Sequence, residues 1–300
     1  YAGDYRHIPC LLFEHDIYFQ SIGRGLARKK NIGLRLQASL EYLRALRYEL
    51  RALRRVSRVQ VCSQANADYL LQFAPDMKDK LDTNNRAGIS TRQYRFVTTS
   101  RQPGTLLFVG SFGHEPNAEG LRWFVQEVLP LIVVRDPSVR LIVVGSDPPP
   151  GLSILIGHPN ITLTGYVDDI RQPFETYAVF ICPILSGSGV RVKLLEAFAS
   201  GMPSVSTRLG AEGLAHESGE FCELGDQPQE FADAVLHLLA DEGYAQALAR
   251  RARQMVEAEK DAKVITSRLE RTYRNEVLRK RPGGVPVVRT LDQRPERVQV

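Results

Sequence analysis

The residues most able to do chemistry fall in one stretch, Pro183-Ile184-Leu185-Ser186-Gly187-Ser188-Gly189-Val190-Arg191-Val192-Lys193-Leu194-Leu195-Glu196. Gly187, Ser188, Gly189 and Val190 form a small-residue loop that runs into a segment with helical apolar spacing, predicting a helix over 190–199. Arg191 and Lys193 then stand in its first turn, where the helix dipole disfavours cations. Two cations are stabilised there if an anion sits between them, and a diphosphate held by backbone N–H groups and both charges fits. Glu196 follows at a spacing suited to accepting hydrogen bonds from ribose hydroxyls. The competing reading is a surface helix with a Lys193–Glu196 pair, worth a few tenths of a kcal/mol.

Two weaker segments accompany it. In 108–117, Gly110 and Ser111 follow an apolar run and precede Asn117. A glycine there lets backbone approach a ligand, and the next helix start offers free N–H groups. A tight turn with Asn117 as N-cap explains the same residues. In 165–169, Gly165-Tyr166-Val167-Asp168-Asp169, a strand-end glycine followed by Tyr166 and Val167 could hold a nucleobase through backbone groups. No Cys/His cluster has zinc spacing, and Asp168-Asp169 is adjacent rather than spaced as in a D-x-D motif, so neither a metal nor another cofactor is expected.

These segments need elements to position them. From Gly104 onward, short apolar strands alternate with helices: strands near 105–109, 139–144, 161–164, 178–182, 204–206 and 221–224, and helices near 117–134, 169–176, 190–199, 228–240, 244–257 and 263–279. That alternation predicts an α/β fold with a parallel sheet covered on both faces. Such sheets bind ligands outside the carboxyl ends of their strands, so the three segments should share one rim. Before Gly104 only two strands are convincing, at 8–13 and 58–62, with a helix capped by Ser63. Residues 76–96 read as a polar, irregular linker, and residues 282–300 as a disordered tail.

Composition sets outer bounds. The 300 residues are 43% apolar and 24% charged, which is ordinary for globular protein. No apolar run approaches the roughly 20 residues needed to span a bilayer. The four cysteines sit mostly in apolar runs without C-x-x-C spacing, reading as free buried thiols of a reducing compartment, the cytoplasm. The net charge of +5 is local: residues 21–58 hold eleven Lys or Arg against Glu41 and Glu49, and the remainder is mildly acidic. Leucines at 36, 40, 43, 46, 50 and 53 give that stretch one apolar face. It reads as a core-packed helix with a basic outer side, or as a helix lying on an anionic membrane surface near 32–58. Nucleic acid is disfavoured, because no aromatic interleaving or binding motif accompanies the charge.

The segments FVGSFGHEPNAEGLRWF, VRLIVVGSDPP, ITLTGYVDDI and AVFICPILSGSGVRVKLLEAFASGMPSVSTRLGAEGL, in this order, resemble the C-terminal half of GT-B glycosyltransferases of the retaining family 4 type (glycosyl transferases group 1). The resemblance covers about 104–275, and residues 1–98, with FEHD and VQVCSQANADYL, look like the end of that family's N-terminal domain. It implies two Rossmann-like domains with parallel sheets, the first incomplete: 1–98 on the acceptor side, and 99–281 binding the nucleotide-sugar donor. It also implies sugar transfer from a nucleoside-diphosphate donor to a glycan or lipid-linked acceptor in cell-surface glycan synthesis, and the basic helix near 32–58 would place that work at the inner face of the membrane. Glu196 matches the second glutamate of the family's E-x7-E element, Arg191 and Lys193 its diphosphate cations, Tyr166 and Val167 its base cradle, and His15 a histidine near the reacting sugar. The first glutamate of E-x7-E is Ser188 here. The family's first strand and glycine loop do not appear, so the chain reads as N-terminally truncated, with a non-catalytic nucleotide-sugar-binding module as the alternative function.

Overall fold

A computed structural model describes residues 8–26, 31–83, 87–97, 101–145 and 155–279. The disordered tail expected at 282–300 lies outside them.

The N-terminal unit carries a three-stranded parallel sheet in the order β1-β2-β3, from β1 (Leu11–Glu14), β2 (Arg58–Val61) and β3 (Leu81–Asp82). Here the expected irregular linker is corrected. Leu81 and Asp82 pair with Val59 and Gln60, and a 3-10 turn over Pro75–Lys80 leads into them. A strand of two residues is too short to show alternation. The basic stretch is also not one helix. It contains α1 (Tyr18–Leu26) and α2 (Ile32–Arg55), the latter opened by Asn31, whose side chain accepts from Leu34 N–H at 3.2 Å. Ser63 caps α3 (Gln64–Phe73) as expected. Ile17, Phe19, Leu53, Val59, Val61, Leu70 and Met77 form the core of this unit.

Only part of the leucine face of α2 joins that core. Leu50 and Leu53 are buried, whereas Ile32, Leu36, Leu40 and Leu43 are exposed. Exposed Arg35, Arg44, Arg47 and Arg51 lie on the same helix.

The second domain is a six-stranded, all-parallel sheet: β4 (Gln102–Val109), β5 (Arg140–Val144), β6 (Ile161–Gly165), β7 (Tyr177–Cys182), β8 (Ser204–Ser206) and β9 (Glu223–Leu224). Their spatial order is β6-β5-β4-β7-β8-β9. Strand order reverses between β4 and β7, and a crevice opens at such a switch point. The apolar runs Leu106–Phe108, Leu141–Val144 and Val179–Cys182 are buried because helices cover both faces. One face packs on α4 (Glu115–Trp123), α5 (Leu129–Arg135) and α8 (Pro228–Ala240). The other packs on α6 (Arg171–Thr176), α7 (Val192–Ala199) and the end of α9 (Glu242–Met255).

The helix expected over 117–134 is α4 and α5 joined through a π turn at Phe124–Val128, where Leu129 N–H reaches back to Phe124 O. Pro130 has no N–H to give, so the regular ladder cannot run through it. Helix α4 approaches the end of β7 closely: a Cβ on Gly120 would lie 2.1 Å from Pro183 O.

The last helix, α10 (Ala262–Arg279), returns to the N-terminal unit. Arg58 pairs with Glu276 at 2.6 Å, and Thr272 donates to Asp82 at 3.1 Å. Glu276 is buried between Arg58 and Arg279. Among the described residues no helix is long and apolar enough to cross a membrane.

Candidate functional site

The loops after β4 and β7 flank the switch point, and Lys193 joins them. Its Nζ donates to Val109 O at 3.0 Å and Asn117 Oδ1 at 2.6 Å, and lies 5.0 Å from the centre of the Phe108 ring. The residue as a whole is partly exposed, but the ammonium sits between two neutral oxygens and an aromatic face, with no carboxylate in salt-bridge contact among the described residues. Burial accordingly pushes its pKa down to about 8, with Arg191 adding to the effect. The Lys193–Glu196 pair of the competing surface-helix reading is not formed among the described residues: Lys193 turns to Val109 and Asn117, and Glu196 to Tyr94.

Two expectations about helix ends are corrected. Helix α7 begins at Val192, so Arg191 is its N-cap residue and Lys193 its second helical residue. Arg191 stays extended because its guanidinium folds back on the loop, donating to the carbonyls of Ser188 and Gly189. Burial lowers its pKa too. Asn117 is not the cap of α4; His114 is. Asn117 lies buried in the first turn, donating to Ser111 O at 2.9 Å while accepting from Lys193. This role suits an amide, which both donates and accepts. Gly110 continues β4, its N–H donating to Val144 O at 3.0 Å, and Ser111 is exposed.

Glu196 lies one turn beyond Lys193 on α7. Its Oε1 accepts from Tyr94 Oη at 2.8 Å. Burial raises its pKa, while the Tyr94 hydrogen bond and Lys193 oppose that. At the end of β6, Tyr166 is 79% exposed, and Val167 packs against the core beneath the rim.

The 187–189 loop is also where the two units meet. Ser188 Oγ accepts from Ile17 N–H at 3.1 Å and donates to Asp16. Arg24 donates to Gly187 O at 2.9 Å and pairs with Glu212 at 2.5 Å. Gly189 has φ +79°, and a Cβ there would lie 2.6 Å from His15 O. Ser188, expected among the donor contacts, therefore spends its hydroxyl on the neighbouring unit. His15 is exposed at the end of β1, its ring edge-on to Phe13 at 4.1 Å and its carbonyl accepting from Cys62 Sγ.

Sequence reasoning missed Asp16, Arg24 and Glu212 in this contact, and His114 at the rim. Burial and the nearby Arg191 and Lys193 lower the pKa of His114. Among the described residues no group of three or more His, Cys, Asp or Glu could hold a metal ion.

Residues 103–241 match the family model described as glycosyl transferases group 1. Over 94 residues the chain is 37% identical to N-acetyl-alpha-D-glucosaminyl L-malate synthase of Bacillus anthracis, covering 30% of this chain and 24% of that protein. It spans only 24–36% of the lengths of the curated relatives it matches. In structure it is similar to sucrose-phosphate synthase of Thermosynechococcus elongatus, with TM-score 0.67 and 19% identity, covering 88% of this chain and 67% of the other. It is also similar to the HepE protein of Anabaena in complex with UDP and glucose, with TM-score 0.63 and 17% identity, covering 89% and 72%. Residues 103–241 are thus similar to the glycosyl transferases group 1 family, and the chain's parallel α/β architecture is that of the GT-B fold.

Proposed function

We propose that this chain is a glycosyltransferase, or part of one, that moves a sugar from a nucleoside-diphosphate donor to a glycan or lipid-linked acceptor. The observation that carries the reading is Lys193, an ammonium sunk at the switch point with only neutral acceptors. A buried cation without a counter-charge is costly, and a diphosphate arriving at the crevice removes that cost. Arg191 lies two residues away and can exchange its loop carbonyls for phosphate oxygens. The family match and the UDP bound by HepE support the donor class.

In this reading the protein lowers the barrier by stabilising charge that develops on the leaving diphosphate. Lys193, Arg191 and the N–H groups at the start of α7 supply that field, with no metal required. Glu196 accepts from ribose hydroxyls, and Tyr166 and Val167 border the base. The reaction retains configuration, and His15 lies near the reacting sugar from the other unit, both as the sequence resemblance implies. The test is to incubate the protein with UDP- and GDP-sugars and measure nucleoside diphosphate release, with and without glycan acceptors. Release that Lys193→Ala abolishes supports the enzyme. Tight binding without turnover, in a chain extended to the length of its relatives, would favour a binding module.

A second reading concerns where it works. The exposed Ile32, Leu36, Leu40 and Leu43 beside exposed arginines favour docking of α2 on an anionic lipid surface at the inner face of the membrane. That placement would bring a lipid-linked acceptor to the cleft.

A further inference from the structure

We propose that Tyr94, in the connector between the two units, is a positioning residue that fixes the Glu196 carboxylate for recognition of a ribose-bearing donor. The proposal rests on the reading of Glu196 as the ribose acceptor.

Tyr94 reaches Glu196 from 102 residues away in the chain, and its phenol donates to Oε1 at 2.8 Å. Glu196 Oε2 carries no protein hydrogen bond among the described residues, which leaves it to accept from a ligand. The phenol is not free to wander. Tyr94 is half-buried and packs against the core beneath α7. Its N–H donates to Thr91 O at 3.2 Å, and its carbonyl accepts from Arg253 at 3.2 Å. The same Arg253 nitrogen donates to Thr91 O at 3.3 Å and to the carbonyl of Ala199, three residues beyond Glu196 on α7. Thr91 is anchored in turn, its N–H and hydroxyl donating to Asp261 at 3.1 and 2.6 Å. One arginine thus straps the connector to the helix that carries Glu196, and Tyr94 closes the loop from the other side.

Glu196 needs that support. Burial raises its pKa, and the tyrosine hydrogen bond is the foremost opposing influence. A carboxylate held in one rotamer and kept ionised is a strong acceptor for vicinal hydroxyls. A protonated or mobile one is not. The connector is therefore part of the donor site as well as a tether.

The test compares wild type, Tyr94→Phe and Glu196→Gln by calorimetry at pH 5–8. The probes are UDP, GDP and their 2′,3′-dideoxy analogues. Wild type should prefer the ribonucleotide about ten-fold, the size of one charged hydrogen bond. Glu196→Gln should remove the preference. Tyr94→Phe should cut it about three- to ten-fold while leaving affinity for the dideoxy analogue unchanged. As pH falls, the Tyr94→Phe variant should lose its remaining preference at a higher pH than wild type does, because Glu196 protonates sooner. Retention of the full preference in Tyr94→Phe while Glu196→Gln loses it overturns the proposal and leaves the ribose reading standing. An equal loss for both nucleotides in Tyr94→Phe also overturns it, as a packing effect. A preference that survives Glu196→Gln overturns both.

Discussion

Lys193 links binding to stability, and the two should move in opposite directions. A buried ammonium with only neutral acceptors destabilises the ligand-free fold. Lys193→Met should therefore stabilise the free protein by about 1–2 kcal/mol, read from denaturant melts, and weaken nucleoside diphosphate binding at least ten-fold. The pH dependence has a definite sign. The folded pKa of about 8 lies below the ordinary 10.5, so the unfolded chain holds more protons between those values. Stability should rise with pH across that window, while nucleotide affinity falls as Lys193 loses its charge. Lys193→Met should flatten both trends.

Glu14 and Glu49 behave in the opposite sense. They line a groove between β1 and α2, and burial, with Asp16 acting on Glu14 and Glu14 on Glu49, raises both to about 7. Folded pKa values above the ordinary carboxylate value mean that stability drops as pH rises from 4.5 to 7. Glu49→Gln should raise Tm at pH 8 by about 1–4 °C, a small gain because water screens this half-open groove.

At the scale of elements, the 187–189 loop serves both sides of the cleft. Arg24 and Glu212 form a half-buried pair across the units, beside the Ser188–Asp16 and Ser188–Ile17 bonds. A double-mutant cycle on Arg24→Ala and Glu212→Ala should give a coupling of about 1–2 kcal/mol in stability. Nucleotide affinity should fall several-fold in either single variant, because the loop loses its support. Gly189→Ala should be more damaging than either, since its Cβ meets the His15 carbonyl and its φ is positive. Helix α2 makes a separate claim. Replacing Leu36, Leu40 and Leu43 with Ser should leave Tm within a degree or two, because these side chains are exposed. The same change should abolish sedimentation with anionic liposomes, and binding of the unaltered protein should weaken with salt.

Across the whole molecule, the second domain was legible in the sequence because buried parallel strands read as short apolar runs between helices. Its rim was legible because Gly187, Gly189, Arg191 and Lys193 sit together at a helix start. The N-terminal unit was harder to read. β3 is two residues long, and α1 and α2 carry one continuous basic, leucine-rich pattern whose break at Asn31 makes no apolar signal. Side-chain roles set by distant partners were also hidden. Nothing near Tyr94 points to Glu196, and nothing in the Ser188 loop points to Asp16. Asn117 looked like a cap because asparagine caps helices so often, yet a buried lysine from another helix had claimed its amide oxygen. Long-range pairings of this kind leave no periodic trace.

The crevice between β4 and β7 should bind a nucleoside diphosphate through Lys193 and Arg191. Calorimetric titration of the protein with UDP and with GDP, beside Lys193→Met and Arg191→Ala, tests this most directly. One nucleotide should bind the unaltered chain, with at least ten-fold loss in Lys193→Met and a comparable loss in Arg191→Ala. Equal affinity in all three proteins, or no binding of either nucleotide by the unaltered chain, would contradict this role of Lys193 and Arg191.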